Sequence, residues 1–354
     1  MRTDRKTELP DLFRLNDGTR VASAGDWPAK RKEWLDAILE IEYGKLPPLP
    51  QRVRVVRLNT SAARSLDGAS YSQYHIIASE EPLFQFRMDM LVPKEIEGRL
   101  PVILNGDGCW RYITDDVSRD VLRRNYILAV FSRVEIVPDV HHPERNVGLY
   151  RLHPDCNFGA IAAWAWGFHR CIDFLQTLDY VDAEKIAVSG HSRGGKTSLL
   201  AGATDERIAL TLANDSGCCG AGCFRLQGEG SETIADITRN FPHWFSPRLN
   251  DYIARETKLP FDQHCLKAAV APRALLTTEA LGDLWANPTG TWHTYNAAKE
   301  VYKFLGVDER IGISYREGGH QHSREDWQTH LDFADWQFRG IKPQRDFNRC
   351  PFGS

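Results

Sequence analysis

The sequence lacks the hallmarks of several protein classes. It contains no run of about eighteen apolar residues, so no segment is predicted to span a membrane. The positively charged start of the chain is not followed by the apolar stretch of a secretory signal, so we expect a cytoplasmic location, or secretion if a signal has been removed. The net charge of −3 over 354 residues gives no basic footprint for binding nucleic acid or an anionic membrane.

The cysteines form no recognisable framework of disulfides or metal ligands. There are eight, irregularly spaced, in a chain long enough to fold around its own core, so we expect mostly free thiols. The cluster of Cys218, Cys219 and Cys223 lacks the paired spacing or the matched histidines of a zinc site. The sequence therefore predicts no metal and no cofactor.

The pattern of the chain predicts an extension followed by one large domain. Residues 1–50 are predicted to form an N-terminal helical extension, and residues 51–354 an α/β catalytic domain. Three strand-rich stretches form an antiparallel front, and from Leu100 strands alternate with helices as in parallel βαβ units. Residues 214–262, rich in Gly, Cys, Pro and aromatics, interrupt this alternation. An insertion of that length is usually functional, so we expect it to line the active site.

One short stretch has the pattern of a nucleophile elbow. The strand-like run Ile186–Val188 enters Gly190–Gly194, and the helix-like run Thr197–Gly202 leaves it. In this G-x-S-x-G pattern Ser192 would lie at the tip of a tight strand-to-helix turn. A purely structural turn is the alternative interpretation, but a strand before the motif and a helix after it are the context expected for a nucleophile.

A serine nucleophile requires a base, and the base requires an acid to orient it. The loop Glu317–His322 offers His320, directly after a Gly-Gly turn, as the first choice of base and His322 as the alternative. Two acids also compete, since Asp283 and Asp215 each follow a predicted strand. Both strand ends open on the same sheet edge, so the sequence does not choose between them. The order serine, acid, histidine is the order of an α/β-hydrolase.

Fixed donors must also stabilise the oxyanion of the tetrahedral intermediate. The backbone amide of Arg193 is expected to be one donor, and the loop Asn105–Trp110 is expected to supply a second. The side chain of Arg193 has three interpretations. It supports the oxyanion, binds an acidic substrate, or forms an ion pair with a nearby carboxylate.

The elbow and the segments after it resemble the glucuronoyl esterases, carbohydrate esterase family 15. Gly190–Lys196 is similar to the family's G-C-S-R-x-G-K elbow, and the resemblance covers about residues 95–340. The other matching segments are Ala203–Asn214, Asp215–Gly217, Gly222–Arg225, Phe241–Phe245, Leu259–His264, Ala271–Arg273 and Asp283–Pro288. The resemblance implies an α/β-hydrolase fold, a three-layer αβα sandwich with a mostly parallel sheet. It also implies hydrolysis of glucuronic acid esters, small or oligosaccharide, through an acyl-enzyme.

The resemblance further implies roles for individual residues. Lys196 would hydrogen-bond sugar hydroxyls, Glu232 would contact the hydroxyls of the uronate, and Trp285 would line the sugar site. Arg193 would support the oxyanion. An acid at the position of Asp215 is a recognised option in the family, which strengthens that candidate.

The sequence also departs from the family pattern. His191 and Ser323 stand where some members have a cysteine pair beside the active site, and the catalytic histidine of those members corresponds to His322. Asp215 replaces the more frequent glutamate. These departures leave open an acetyl or methyl ester of another sugar as the substrate, and also a catalytically idle carbohydrate-binding relative.

Overall fold

A nine-stranded sheet lies at the centre of the protein, in a computed structural model that describes residues 8–110, 112–141 and 144–352. The strands are β1 (Arg54–Ala63), β2 (Ala69–Glu80), β3 (Leu83–Val92), β4 (Leu100–Asn105), β5 (Ile127–Phe131), β6 (Val181–His191), β7 (Leu210–Asn214), β8 (Ala274–Ala280) and β9 (Ile311–Arg316). Their order is β1-β2-β3-β5-β4-β6-β7-β8-β9. The first three strands are antiparallel and the remaining six run parallel, which confirms the predicted sheet.

Helices connect the parallel strands. The α-helices of the described residues are α1 (Trp27–Ile38), α2 (Asp115–Arg123), α3 (Ala160–Leu175), α4 (Arg193–Thr204), α5 (Ile234–Asn240), α6 (Gln263–Ala268), α7 (Pro288–Phe304) and α8 (Arg324–Arg339). None of these helices is long and apolar enough to cross a membrane.

The two faces of the sheet are covered by different helices. Successive side chains of a strand point to opposite faces, and β4 shows this clearly. Ile103 packs in a cluster with residues of α2 and α8, whereas Val102 and Leu104 belong to the larger cluster built with α1, α3, α4, α6 and α7. The result is the three-layer αβα sandwich of an α/β-hydrolase.

The segment before the sheet is part of the same core. Trp27 and Trp34 of α1 are buried in the larger cluster. Arg31 donates hydrogen bonds to the carbonyl groups of Ala203, at 2.7 Å, and Ala269, also at 2.7 Å. The predicted N-terminal extension therefore packs directly on the helices that carry the elbow region.

The topology brings the candidate site residues to one edge of the sheet. Ser192 follows β6, Asp215 follows β7, Asp283 follows β8 and His320 follows β9. Because these four strands are parallel neighbours, their carboxyl ends open side by side, where ligands bind in open α/β sheets.

Candidate active site

Ser192 occupies the tip of a strained strand-to-helix turn. Its backbone has φ 57° and ψ −121°, a conformation that non-glycine residues rarely adopt. The Ser192 N–H donates to the carbonyl of Asn214 at 2.9 Å, and the Ser192 carbonyl accepts from the N–H of Lys196 at 3.0 Å. Such strain persists only where the surroundings enforce it, and it is typical of functional sites.

The flanking glycines are required by close backbone contacts. A Cβ at Gly190 would lie 2.2 Å from the carbonyl oxygen of Gly194, and one at Gly194 would lie 2.0 Å from a carboxylate oxygen of Asp107. Neither neighbour can move without displacing the turn. The close contacts thus explain why both glycines of the motif are needed, as in a nucleophile elbow.

His320 and Asp283 form a hydrogen-bonded pair at this edge. Nδ1 of His320 lies 2.5 Å from Oδ2 of Asp283. The carboxylate is buried, while 43% of the histidine side chain is exposed. This arrangement leaves Nε2 of His320 free to exchange a proton with a serine and a substrate, as a general base requires.

Asp215 lies beside this pair and has other partners. Its Oδ1 accepts the N–H of Ala280 at 2.7 Å, and its Oδ2 lies 3.3 Å from the guanidinium of Arg316. Burial, together with the nearby carboxyls of Asp283 and Asp326, raises the pKa of Asp215 to about 8.

His322, the alternative base, makes no hydrogen bond to either acid. Its ring is buried and stacks on Trp327, with the ring centroids 4.8 Å apart. Neither of its nitrogens has a hydrogen-bond partner among the described residues. Burial lowers the pKa of His322 well below its usual range, so the ring stays neutral.

The guanidinium of Arg193 is held by an ion pair, one of the three interpretations drawn from the sequence. Nη1 lies 2.6 Å from Oδ2 of Asp139. Burial by itself favours the neutral acid, but hydrogen bonds from His243 and Trp244 and the charge of Arg193 hold the pKa of Asp139 well below its usual range. The Nε–H of Arg193 is buried and has no partner among the described residues.

These contacts leave Arg193 with two donors that no described residue accepts. Besides Nε–H, its backbone N–H is at the first position of α4 and so has no acceptor within the helix. The loop Asn105–Trp110 offers fewer free amide donors for the oxyanion than expected. The N–H of Asp107 donates to Oδ1 of Asn105, that of Gly108 to the carbonyl of Phe131, and that of Trp110 to the carbonyl of Asp107.

The three residues expected at a sugar site also gather next to the elbow. Nζ of Lys196 donates to the carbonyl of Ser216, and the N–H of Glu232 donates to the carbonyl of Trp285 at 3.0 Å. Burial raises the pKa of the Glu232 carboxyl, and the charge of Lys196 opposes that shift. Trp285 is 47% exposed, which leaves its ring accessible.

Comparison with known proteins decides the family. The model of the fungal glucuronyl esterases matches residues 76–306 of the chain. The chain belongs to the glucuronoyl esterase family. It is 32% identical to the carbohydrate esterase MZ0003 of an unknown prokaryotic organism, over 95% of this chain and 90% of that protein. It is 33% identical to 4-O-methyl-glucuronoyl methylesterase 1 of Wolfiporia cocos, over 89% of this chain and 76% of that one.

Solved structures of glucuronoyl esterases agree with the fold. The carbohydrate esterase family 15 enzyme of Caldicellulosiruptor kristjansonii superposes with a TM-score of 0.86 at 31% identity, covering 98% of this chain and 94% of that one. A serine-to-alanine variant of the Sporotrichum thermophile enzyme, in complex with methyl 4-O-methyl-β-D-glucopyranuronate, gives 0.80 at 26% identity, covering 96% and 89%. The chain is thus a serine carboxylic-ester hydrolase that acts on carbohydrate esters.

In this glucuronoyl esterase, Arg316 organises the base loop, Glu317–His322, which carries the candidate base. The sequence did not reveal this role. Its guanidinium donates to the carbonyl of Gly319 at 3.2 Å and to that of Gln321 at 2.6 Å. It also lies 2.8 Å from Asp326 at the start of α8. One arginine at the end of β9 therefore holds the backbone on both sides of His320.

Asp107 and Arg133 form a second buried arrangement that sequence reasoning missed. Their ion pair is fully buried, and Oδ2 of Asp107 accepts the N–H of His191 at 2.7 Å. The guanidinium of Arg133 lies 3.9 Å from the ring centre of Trp110. The pair joins the loop after β4 to the elbow, but the two residues are 26 positions apart in the sequence, too far for a local pattern to reveal the pair.

Metal binding does not account for the carboxylates. Among the described residues, ligand atoms of Asp215, Asp283 and His320 lie within 4.8 Å of one another. The hydrogen bond between Asp283 and His320 explains most of this proximity, and the guanidinium of Arg316 beside Asp215 disfavours a cation. The eight cysteines, all in the described part of the chain, are free thiols.

Proposed function

We propose that the protein hydrolyses esters of a glucuronic acid-type uronate through an acyl-enzyme on Ser192. His320 acts as general base and acid, and Asp283 orients it. The observation that carries this proposal is the short hydrogen bond between His320 and the buried carboxylate of Asp283, on the strand edge that also carries the strained Ser192. Nucleophile, acid and base then follow β6, β8 and β9, whose carboxyl ends open on one edge of the sheet.

In the first half of the reaction, Ser192 attacks the ester carbonyl while Nε2 of His320 takes the hydroxyl proton. The negative charge of Asp283 stabilises the imidazolium through Nδ1–H. The charge that develops on the carbonyl oxygen is met by the backbone N–H and the Nε–H of Arg193. His320 then passes its proton to the departing alcohol, which leaves the uronate bound to the serine.

In the second half, water replaces the alcohol. His320 accepts a proton from the water as it attacks the acyl carbonyl, and it returns that proton to Ser192 when the free acid leaves. Ester and water supply every atom of the products. The same donors on Arg193 stabilise both tetrahedral intermediates, and each such donor contributes about 3 kcal/mol to the lowering of the barrier.

Recognition of the sugar rests on Lys196, Glu232 and Trp285. A buried ammonium and a buried carboxyl beside the elbow provide a donor and an acceptor for vicinal hydroxyls, and the exposed indole provides an apolar face for the sugar ring. The Sporotrichum thermophile neighbour, with methyl 4-O-methyl-β-D-glucopyranuronate in its complex, supports a uronate ester as the substrate.

A panel of three esters tests the substrate class. We expect the purified protein to hydrolyse methyl glucuronate, with a lower kcat/KM for methyl galacturonate and a much lower one for acetylated xylose. Ser192→Ala should abolish turnover of all three, while Ser61→Ala, a substitution on the exposed strand β1, should leave the rates unchanged.

Hydrolysis of the acetyl ester alone, lost in Ser192→Ala, would contradict the uronate substrate and keep the serine mechanism. Equal rates for the wild type and Ser192→Ala would contradict the mechanism itself. Sugar binding without turnover of any ester would favour a catalytically idle relative.

A further inference from the structure

His191, the residue before the nucleophile, lies against the candidate base. Its ring centroid is 4.5 Å from that of His320, and the two planes are tilted by 43°. On another side its ring meets the edge of Tyr112, at 5.2 Å. His191 is itself fully buried, whereas His320 is exposed. The buried ring of His191 thus packs against the exposed ring of His320 from the inside of the protein.

His191 is fixed more firmly than His320. Its backbone N–H donates to Asp107 at 2.7 Å, and its Nδ1 lies 2.6 Å from Oδ1 of Asn214. The amide nitrogen of Asn214 donates to the hydroxyl of Thr278 at 2.9 Å, which assigns Oδ1 of Asn214 as the acceptor. Nδ1 of His191 therefore carries the proton, and the ring is held in one orientation.

The environment also keeps His191 neutral. Burial, reinforced by the neighbouring imidazole of His320, lowers the pKa of His191 to about 3. Arg316 adds a positive charge nearby, and Asp283 only partly offsets these effects. A neutral aromatic ring can face the imidazolium that forms on His320 during catalysis, because the attraction between a cation and a π face replaces repulsion between two charges.

His320 needs such a second contact. It follows Gly318 and Gly319, and Gly318 has φ +97° in a conformation that only glycine adopts readily. The bond to Asp283 fixes Nδ1, yet the ring can still rotate about the line that joins the two atoms. Rotation would move Nε2 away from the serine hydroxyl, and a misplacement of about 1 Å can cost about 100-fold in rate.

We propose that His191 is a positioning residue, whose neutral ring sets the plane of the His320 imidazole. The proposal rests on the proposed function only in taking His320 as the base. It predicts that the aromatic face at position 191, more than its hydrogen-bonding capacity, supports catalysis.

Two substitutions separate the ring from its hydrogen bond. His191→Phe keeps an aromatic face and loses the donor to Asn214, while His191→Gln keeps a donor and loses the ring. We expect His191→Gln to lower kcat about 10- to 100-fold with KM within about two-fold of the wild type. We expect His191→Phe to retain kcat within about five-fold. The Nδ1–H proton of His320, followed by NMR, should be observed in His191→Phe and broadened in His191→Gln.

Asn214→Ala gives a third test if either substitution prevents folding, because it releases the His191 ring without removing it. An intermediate loss of kcat with an unchanged KM is expected. The proposal is overturned if folded His191→Gln is more active than His191→Phe, if both match the wild type, or if Asn214→Ala leaves kcat unchanged. All rates are compared with the wild type on whichever ester it turns over. A wild type that accepts only acetyl esters would therefore contradict the uronate substrate and still test His191.

Discussion

At the scale of single residues, two acids near one histidine have different surroundings. Asp283 meets Nδ1 of His320 directly, whereas Asp215 uses its oxygens for the N–H of Ala280 and for Arg316. Asp283 can therefore orient and stabilise the imidazolium. Asp215 instead supports the strand ends, and burial raises the pKa of its carboxyl.

The first prediction compares Asp283→Asn with Asp215→Asn. An amide at position 283 can donate to Nδ1 and so favours the wrong tautomer of His320, and the corresponding change in a Ser-His-Asp protease lowers kcat about 10⁴-fold. We expect a loss of at least about 10³-fold for Asp283→Asn and less than about 10-fold for Asp215→Asn. Steady-state kinetics with methyl glucuronate measures both. The opposite order would identify Asp215 as the triad acid.

The sequence predicted the membership of this site but not the pairing within it. Ser192 follows from a local motif, because strand, turn and helix are adjacent in the chain. The choice between His320 and His322 depends on where one short loop points, and the choice between Asp283 and Asp215 depends on distances across strands. Those quantities are set by tertiary packing, and no local pattern encodes them.

At the scale of elements, the base loop depends on an arginine at its own root. Arg316 ends β9 and donates to the carbonyls of Gly319 and Gln321, while Asp326 holds the guanidinium from α8. The loop would otherwise be weakly restrained, because Gly318 and Gly319 add no side-chain contacts. The position of His320 thus depends on the several N–H donors of one planar guanidinium, an arrangement that only arginine provides.

The second prediction concerns the hydrogen bonds of the Arg316 guanidinium. Arg316→Lys keeps the charge but cannot reach the carbonyls and the carboxylates together, so His320 should lose its alignment. We expect kcat to fall about 10- to 100-fold with a small change in KM. Arg324→Lys is the matched control, because Arg324 pairs on the surface with Asp120 and should change kcat by less than about two-fold. Equal effects of the two substitutions would show that the hydrogen bonds of Arg316 do not position the base.

Element boundaries illustrate where sequence patterns stop. The apolar run Ile186–Val188 predicted the buried middle of β6, but the strand extends over Val181–His191, because its polar ends still pair with β4 and β7. Helix α2 (Asp115–Arg123) was not predicted, since only a few of its residues face the core. Hydrophobic periodicity locates the buried part of an element and misses the rest.

At the scale of the whole molecule, several histidines are buried as neutral rings. Burial lowers the pKa of His169 and His264 to about 4, that of His191 and His330 to about 3, and that of His322 well below its usual value. In the unfolded chain each would titrate near its usual value of about 6.5. The unfolded state therefore binds more protons than the folded state below that pH. The contribution of these histidines to the free energy of unfolding is therefore fully present above about pH 6.5 and is lost as the pH falls toward 4.

The third prediction tests this loss with His322→Phe. Phenylalanine preserves the stacking on Trp327 and removes a buried base that makes no hydrogen bond to the described residues. The free energy of unfolding, measured with urea, should fall between pH 6.5 and pH 4.5 in both proteins. The fall should be smaller in His322→Phe than in the wild type by about 2 kcal/mol. Esterase activity should stay within a few-fold, because the proposed base is His320.

The control is His141→Gln, which replaces an exposed histidine and should keep the wild-type dependence of stability on pH. An unchanged acid sensitivity in His322→Phe would show that His322 is not buried as a neutral base. A complete loss of activity in folded His322→Phe would make His322 the catalytic base instead.

The assignment of Ser192 as the nucleophile is tested by labelling the protein with a fluorophosphonate probe and mapping the adduct by peptide mass spectrometry. We expect a single adduct on Ser192, formed more slowly in the presence of methyl glucuronate and about 10³-fold more slowly in Asp283→Asn. An adduct on another residue, or an active enzyme whose Ser192 stays unlabelled, would contradict it.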